Sequence, residues 1–246
     1  MIDYSEASGP ILAMIHVDVG CLQDRYRVAV RDVNWQVHSG DFWIVAGSHG
    51  SGRTDLLLTA AGLLPPCAGQ IQWFGQPQPA SEVARQSLRR KVGFVFEQGH
   101  LLHDLTVAEN VALPCEYHGV QRAGSVEGVV TRMLESTGLR AWADARPAAL
   151  PVPWQRRALL ARALVLQPRL MFFDCPLRGL DRRHAEWWHE TLLQLHRGEF
   201  PGVSHSVTVV MTAEEPPTWI TPGMGVAWIE EGRFSVVTSP ANRLAG

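Results

Sequence analysis

Two rhythms of hydrophobic positions alternate along the chain: short, nearly continuous apolar runs, and longer stretches with apolar residues at helical spacing. Residues 11–46 hold runs of strand character, broken at Gly20, Gly40 and Asp41. The last run, Phe42-Trp43-Ile44-Val45-Ala46, is apolar throughout and predicts a buried strand, and Asp55 to Ala61 predicts a helix. Gly69 to Gly75 is a short strand between glycines, and Val92-Gly93-Phe94-Val95-Phe96 is another. Residues 106–146 read as mostly helical, with Val129, Val130, Met133, Leu134 and Leu139 near helical spacing. Prolines between Pro147 and Pro153 interrupt, and Gln155 to Leu166, rich in Ala, Leu and Arg, predicts a strong helix. Leu170-Met171-Phe172-Phe173, closed by Asp174 and Pro176, has the continuous apolar character of a central parallel strand. A helix near 182–197, a strand over 206–211 and a hairpin around Gly232 follow. Strands alternating with helices predict an α/β fold with a mostly parallel sheet. The helical stretch 98–165 reads as a separate subdomain, with 1–97 and 166–246 as the α/β core.

Between the strand ending at Ala46 and the helix beginning near Asp55 lies Gly47-Ser48-His49-Gly50-Ser51-Gly52-Arg53-Thr54. The pattern G-x-x-x-x-G-K-[ST] in a strand–loop–helix setting binds phosphate through backbone N–H groups at a helix start. Its lysine reaches the outer phosphates and its Ser/Thr hydroxyl holds magnesium. The glycines and Thr54 match, and Arg53 stands in place of lysine. Arginine keeps the charge but spreads it over a planar fork.

Composition narrows the remaining classes. A net charge of −2 gives no general attraction to nucleic acid or anionic lipid. Cys21, Cys67, Cys115 and Cys175 form no C-x-x-C pair and read as reduced buried thiols. The N-terminus has no signal-peptide pattern, and no run approaches the roughly 20 apolar residues of a membrane span. Any membrane role is therefore expected to be peripheral or through a partner. Lys91 is the only lysine, so Arg53 also belongs to a general preference for arginine. His49, His100 and His103 have no metal-ligand spacing and read as solvated loop residues. Arg156, Arg157 and Arg162 read as a solvated helix face, and Trp187 and Trp188 as packing residues.

The order of these motifs resembles the nucleotide-binding subunit of ABC transporters over nearly the whole chain. Walker A resembles 47–54, the Q-loop strand 92–96, the signature helix 155–164, and Walker B with the D-loop Leu170 to Asp181. Phe96 to Ala112, Arg156-Arg157-Ala158 and Pro176 to Asp181 look most like the Mla-type phospholipid-transport ATPases. The resemblance implies a P-loop NTPase core of ABC type, mostly parallel with N-terminal antiparallel strands, plus a helical subdomain. It implies ATP and Mg²⁺ held by Gly47, Ser48, His49, Gly50, Ser51, Gly52, Arg53 and Thr54. Tyr26 is expected on the adenine, Thr54 and Asp174 on the metal, and Asp181 in the D-loop. It implies an integral membrane permease as partner, a homodimer or a heterodimer with another nucleotide-binding subunit, and a place on the inner face of the cytoplasmic membrane.

Several positions depart from that pattern. The Q-loop glutamine falls on Glu97, with Gln98 adjacent. The signature Leu-Ser-Gly-Gly-Gln falls on Leu150-Pro151-Val152-Pro153-Trp154, where two prolines have no N–H to donate. The general-base glutamate falls on Cys175 and the switch histidine on Ala213. Positions that bind are mostly kept, and positions that hydrolyse are mostly gone. The leading expectation is a degenerate, ATP-binding transporter subunit with little or no hydrolysis of its own. The alternatives are an active ABC ATPase with Glu97 or Glu214 as base, and a P-loop kinase of a small metabolite.

Overall fold

The computed structural model describes residues 9–24, 26–77, 82–99, 101–119 and 125–240. In chain order the strands are β1 (Leu12–Gly20), β2 (Val28–Val37), β3 (Phe42–Gly47), β4 (Ala68–Trp73), β5 (Gln76–Pro77), β6 (Val92–Val95), β7 (Leu170–Phe173), β8 (Thr208–Ala213), β9 (Gly225–Glu230) and β10 (Arg233–Thr238). The α-helices are α1 (Arg53–Ala60), α2 (Glu82–Lys91), α3 (Val107–Tyr117), α4 (Val126–Ser136), α5 (Val152–Leu164) and α6 (Arg182–Arg197). The chain forms two compact units, Met1–Leu88 with Thr208–Gly246, and Arg89–Val207. Among the described residues no helix is long and apolar enough to cross a membrane.

The first unit is a sheet in the order β5-β4-β1-β2-β10-β9-β3-β8. Strands β1, β2 and β4 pair antiparallel, whereas β3 lies parallel to both β8 and β9. In β2, buried Val33, Trp35 and Val37 alternate with exposed Asp32, Asn34 and Gln36, the period-two pattern of a strand covered on one face. Every residue of β3 is buried, which explains its continuous apolar run. Within this core, Trp43 meets Trp35 edge-on, with centroids 5.6 Å apart. The Trp43 indole N–H donates to the buried Asp41 carboxylate at 3.0 Å, and the His38 amide donates to the same oxygen at 2.8 Å. Such pairing is what lets a carboxylate sit inside an apolar core. Helix α1 is pinned at its far end by the Trp73 indole N–H, which donates to the Ala60 carbonyl at 2.7 Å.

In the second unit β6 and β7 are parallel, from Val92↔Leu170 to Val95↔Phe173. Helix α5 packs on β6, α3 and α4. Helix α3 opens with a capping box: the Glu109 amide donates to the Thr106 hydroxyl, and the Thr106 amide donates to the Glu109 carboxylate at 2.7 Å. Asn110 is fully buried. It accepts from the Leu102 amide at 2.7 Å and donates to the Leu102 and Thr106 carbonyls at 3.0 and 2.9 Å.

The boundaries differ from the sequence reading in instructive places. The helix expected from Gln155 starts at Val152, because proline is compatible with a first helical turn. The strand expected at 206–211 runs from Thr208 to Ala213. The stretch 106–146 is two α-helices and a short 3₁₀ turn at Arg140–Trp142. Helix α2, dominated by polar residues and arginines, had no apolar run to reveal it. Two cysteine expectations need correction: Cys115 and Cys175 are buried, but Cys67 is exposed and Cys21 half-buried, at the strand ends where β1 and β4 stop pairing.

Candidate functional site

The loop after β3 is shaped by close backbone approaches. A Cβ on Gly47 would lie 2.6 Å from the Ile229 carbonyl and 2.7 Å from the Ser51 hydroxyl, so only glycine fits. Gly52 adopts φ 97° directly before α1, and a Cβ there would lie 2.8 Å from Val30. Both contacts come from strands that hold the loop: Gly47 pairs with Ile229 on β9, and Val30 belongs to β2. The Gly47 amide donates to the Glu214 carbonyl at 3.3 Å, and the Ser51 amide to the Ser48 carbonyl at 3.1 Å. Ser48, His49 and Gly50 are exposed at the mouth of the loop.

Arg53 opens α1 and is only 6% exposed. Its Nη1 and the Ser51 hydroxyl are buried with no hydrogen-bond partner among the described residues. Buried polar groups left unpaired are costly, and a guanidinium fork matches phosphate oxygens. Two unpaired donors in a glycine loop packed too closely for a Cβ suit a phosphate. Thr54, the next residue, is half-buried in the first turn of α1.

Two further expected positions lie in the same unit. Ala213 ends β8 and pairs with Ala46, the residue before the loop, and its side chain is a methyl group. Tyr26 lies in the turn between β1 and β2 and is 83% exposed. That turn is tied to α1, because the Leu22 amide donates to the Asp55 carboxylate at 2.7 Å.

The second unit holds the remaining positions. Asp174 follows β7 and is buried, and its amide donates to the Val95 carbonyl at 2.9 Å. Cys175 is buried in a left-handed conformation, φ 44°, which is uncommon for a residue with a Cβ. Its carbonyl accepts from the Arg178 amide at 3.1 Å. Glu97, two residues past β6, is engaged by the Arg178 guanidinium: one nitrogen lies 3.3 and 3.4 Å from its two carboxylate oxygens. Gln98 is exposed. Asp181 is the N-cap of α6 and accepts from the His184 amide at 2.9 Å. His49 and His103 are exposed, and His100 lies outside the described residues.

At the start of α5 proline removes some of the backbone donors and another is already occupied. Pro151 is the N-cap, Pro153 has no N–H, and the Trp154 amide already donates to the Pro151 carbonyl at 2.9 Å. Val152 is 61% exposed and apolar. The Gln155 side chain braces the turn by donating to the Pro147 and Leu150 carbonyls at 3.1 and 2.9 Å.

The solvated arginine face expected on α5 is a correction. Arg157 is 6% exposed, its guanidinium 4.4 Å from the Trp154 ring centre and 3.8 Å from that of Trp187. It also contacts His184 Nδ1 at 3.3 Å. Burial first, and then the charge of Arg183, pull its pKa down to about 10. The physical reason for the burial is amphipathic: an arginine stem and a flat guanidinium pack well between two indoles. Arg162 is half-buried too. Arg156 donates to the Arg178 carbonyl at 2.6 Å. Sequence reading missed Arg157 and Arg178 as organising residues. Only their nearness to Trp154 and Cys175 hinted at a role.

Comparison with known proteins agrees with this architecture. The profile of the ABC transporter family matches residues 30–178. Among solved structures the chain resembles cbiO1 of Clostridium perfringens, part of the ABC transporter complex cbiONQ, at 21% identity and TM-score 0.74, covering 92% of this chain and 87% of that one. It resembles MJ0796, a bacterial ABC transporter cassette solved as a dimer, at 23% identity and TM-score 0.78, covering 93% and 99%. The same cassette in a dimeric post-hydrolysis state with ADP and Pi matches at 22% identity and TM-score 0.77. With the family profile spanning more than half of its length, this chain belongs to the ABC transporter family and has the α/β fold of its ATP-binding cassettes.

Proposed function

We propose that this chain is the ATP-binding subunit of an ABC transporter and that it holds nucleotide with little or no hydrolysis. The observation that carries the binding half is the pair of unpartnered buried groups, Arg53 Nη1 and the Ser51 hydroxyl, beside the Gly47 cradle. On this reading Gly47 to Thr54 wrap the phosphates, Tyr26 stacks on the base, and Thr54 and Asp174 serve Mg²⁺. The nucleotide, when bound, brings the labile phosphoanhydride bond. What this chain's residues do is bind and orient it.

Three features support weak turnover. Cys175 is buried with its backbone tied to Arg178, and a thiol is a poor substitute for a carboxylate base. Ala213 offers no side-chain donor. The start of α5 presents prolines and an occupied amide. The second reading, an active ATPase with Glu97 or Glu214 as base, draws on one observation: Glu214 is exposed, and its carbonyl accepts from the first glycine of the loop. Glu97 is less suited, because Arg178 engages its carboxylate. Nothing in the molecule favours the small-metabolite kinase.

Phospholipid or lipid trafficking at the bacterial envelope is the cargo we propose, on the resemblance of Phe96 to Ala112 and Pro176 to Asp181 to the Mla-type ATPases. The helical lobe, 98–165, is the part we assign to docking on an integral membrane permease. A second copy or another nucleotide-binding subunit completes the pair, on the inner face of the cytoplasmic membrane.

The test is equilibrium binding of Mg-ATP to the purified chain together with steady-state phosphate release. Saturable binding that is lost in Thr54→Ala, with release at least about 10²-fold below that of an intact cassette, is expected. Robust release abolished by Glu214→Gln would establish the second reading. Absence of binding at millimolar ATP would overturn the first.

A further inference from the structure

Two departures from the family pattern, Glu97 and Cys175, are mechanically joined at one residue. The Arg178 side chain holds both oxygens of Glu97, its amide donates to the Cys175 carbonyl, and its own carbonyl accepts from Arg156. Glu97 and Asp174 leave the same end of a parallel strand pair, since Val95 lies opposite Phe173. Glu97 stands where the resemblance puts a metal-contacting glutamine, and a guanidinium is already beside it. The pair is half-buried, with 38% of the Arg178 side chain and 21% of the Glu97 side chain exposed. It is therefore less screened than a surface ion pair. Unlike a metal ion, a guanidinium stays charged and cannot dissociate.

We propose that Arg178 is a positioning residue: it serves Glu97 as a resident counter-cation and withholds that carboxylate from divalent metal. The segment from Cys175 to Arg178 is then held in place by Arg156 and Glu97 without needing a ligand to order it. The claim concerns this strand edge alone and does not depend on nucleotide binding elsewhere in the chain.

The probe is Mn²⁺ alone, titrated into the full chain without nucleotide and followed by water-proton relaxation. Arg178→Ala should tighten Mn²⁺ binding about five-fold, the upper range for releasing a partly exposed ion pair. Arg178→Lys, which keeps the charge, should bind as the parent does. Arg178→Ala combined with Glu97→Gln should lose the gain. Glu97→Gln alone, a change of charge with little change of size at a half-buried position, should leave Mn²⁺ affinity as it is. Equal affinity in the parent and Arg178→Ala would overturn the proposal, as would a gain that survives in the double variant. Weakened binding in Glu97→Gln alone would overturn it too, and that arm stands even if Arg178→Ala does not fold.

Discussion

The first turns of α1 and α5 differ in what their backbones leave available. At α1 the chain arrives through Gly47, Gly50 and Gly52, with positive φ at Gly50 and Gly52, and two buried polar groups there have no partner. At α5 it arrives through Pro147, Pro151 and Pro153, and the Trp154 amide is bonded back to Pro151. The α1 start keeps donors unspent for an anion. The α5 start loses some of them to proline and spends another, and its nearest cation, Arg157, is clamped between Trp154 and Trp187 although its Nε is likewise buried without a partner. A helix N-terminus therefore does not make an anion site by itself. The residues before it decide whether its donors remain free.

The strongest way to break this contrast is at the loop. In Gly47→Ala the new methyl would meet the Ile229 carbonyl at 2.6 Å, a backbone atom held in the β9 ladder. The loop must then shift, and we expect Mg-ATP affinity to fall at least about 100-fold with a stability loss of about 1–3 kcal/mol. Calorimetric titration and chemical denaturation measure the two. Retained affinity would mean that the cradle is not the phosphate site.

How much of this was legible in the sequence follows from the range of the interactions. The glycine loop and the apolar strands β3 and β7 were readable because their signals are local: spacing, and unbroken runs. The two units' boundaries were not, because Leu88 and Val207 are unremarkable positions whose meaning lies in long-range packing. The Glu97–Arg178 pair joins residues 81 apart and leaves no local trace. Arg157 was misread because charge in a helical stretch usually marks solvent, and nothing local says that two tryptophans will enclose it. The Thr106 to Asn110 stretch was recognised as a family-like string. The structure gives its polar members architectural work, capping α3 and holding the preceding loop.

A middle-sized effect belongs to α5. Arg157→Ala removes two cation–π contacts and the packing of a buried stem, so we expect a loss of about 2–4 kcal/mol in denaturant unfolding. Arg157→Lys should recover little of it, since a compact ammonium cannot stack as a plane does. Mg-ATP affinity should stay within about two-fold of the parent, because the clamp is structural. A collapse in affinity with unchanged stability would show that the α5 start acts on ligand after all.

The smallest effect comes from a third helix start, α3, whose donors are satisfied by side chains. The Glu109 carboxyl is held below its ordinary 4.5, chiefly by the hydrogen bond from the Thr106 amide, then by the Thr106 hydroxyl. A carboxyl that titrates lower when folded than when unfolded adds stability that is complete above the unfolded value. That stability is lost as pH falls through the folded one. Acidification from neutral pH to below 4.5 should thus loosen the first turn of α3, seen as amide exchange at Thr106 quickening a few-fold beyond the intrinsic pH effect. Glu109→Gln should flatten this pH response, because an uncharged amide oxygen accepts the same bond at every pH. A pH response that persists in Glu109→Gln would place the titrating group elsewhere, and the capping box would then explain the geometry of α3 without explaining its acid sensitivity.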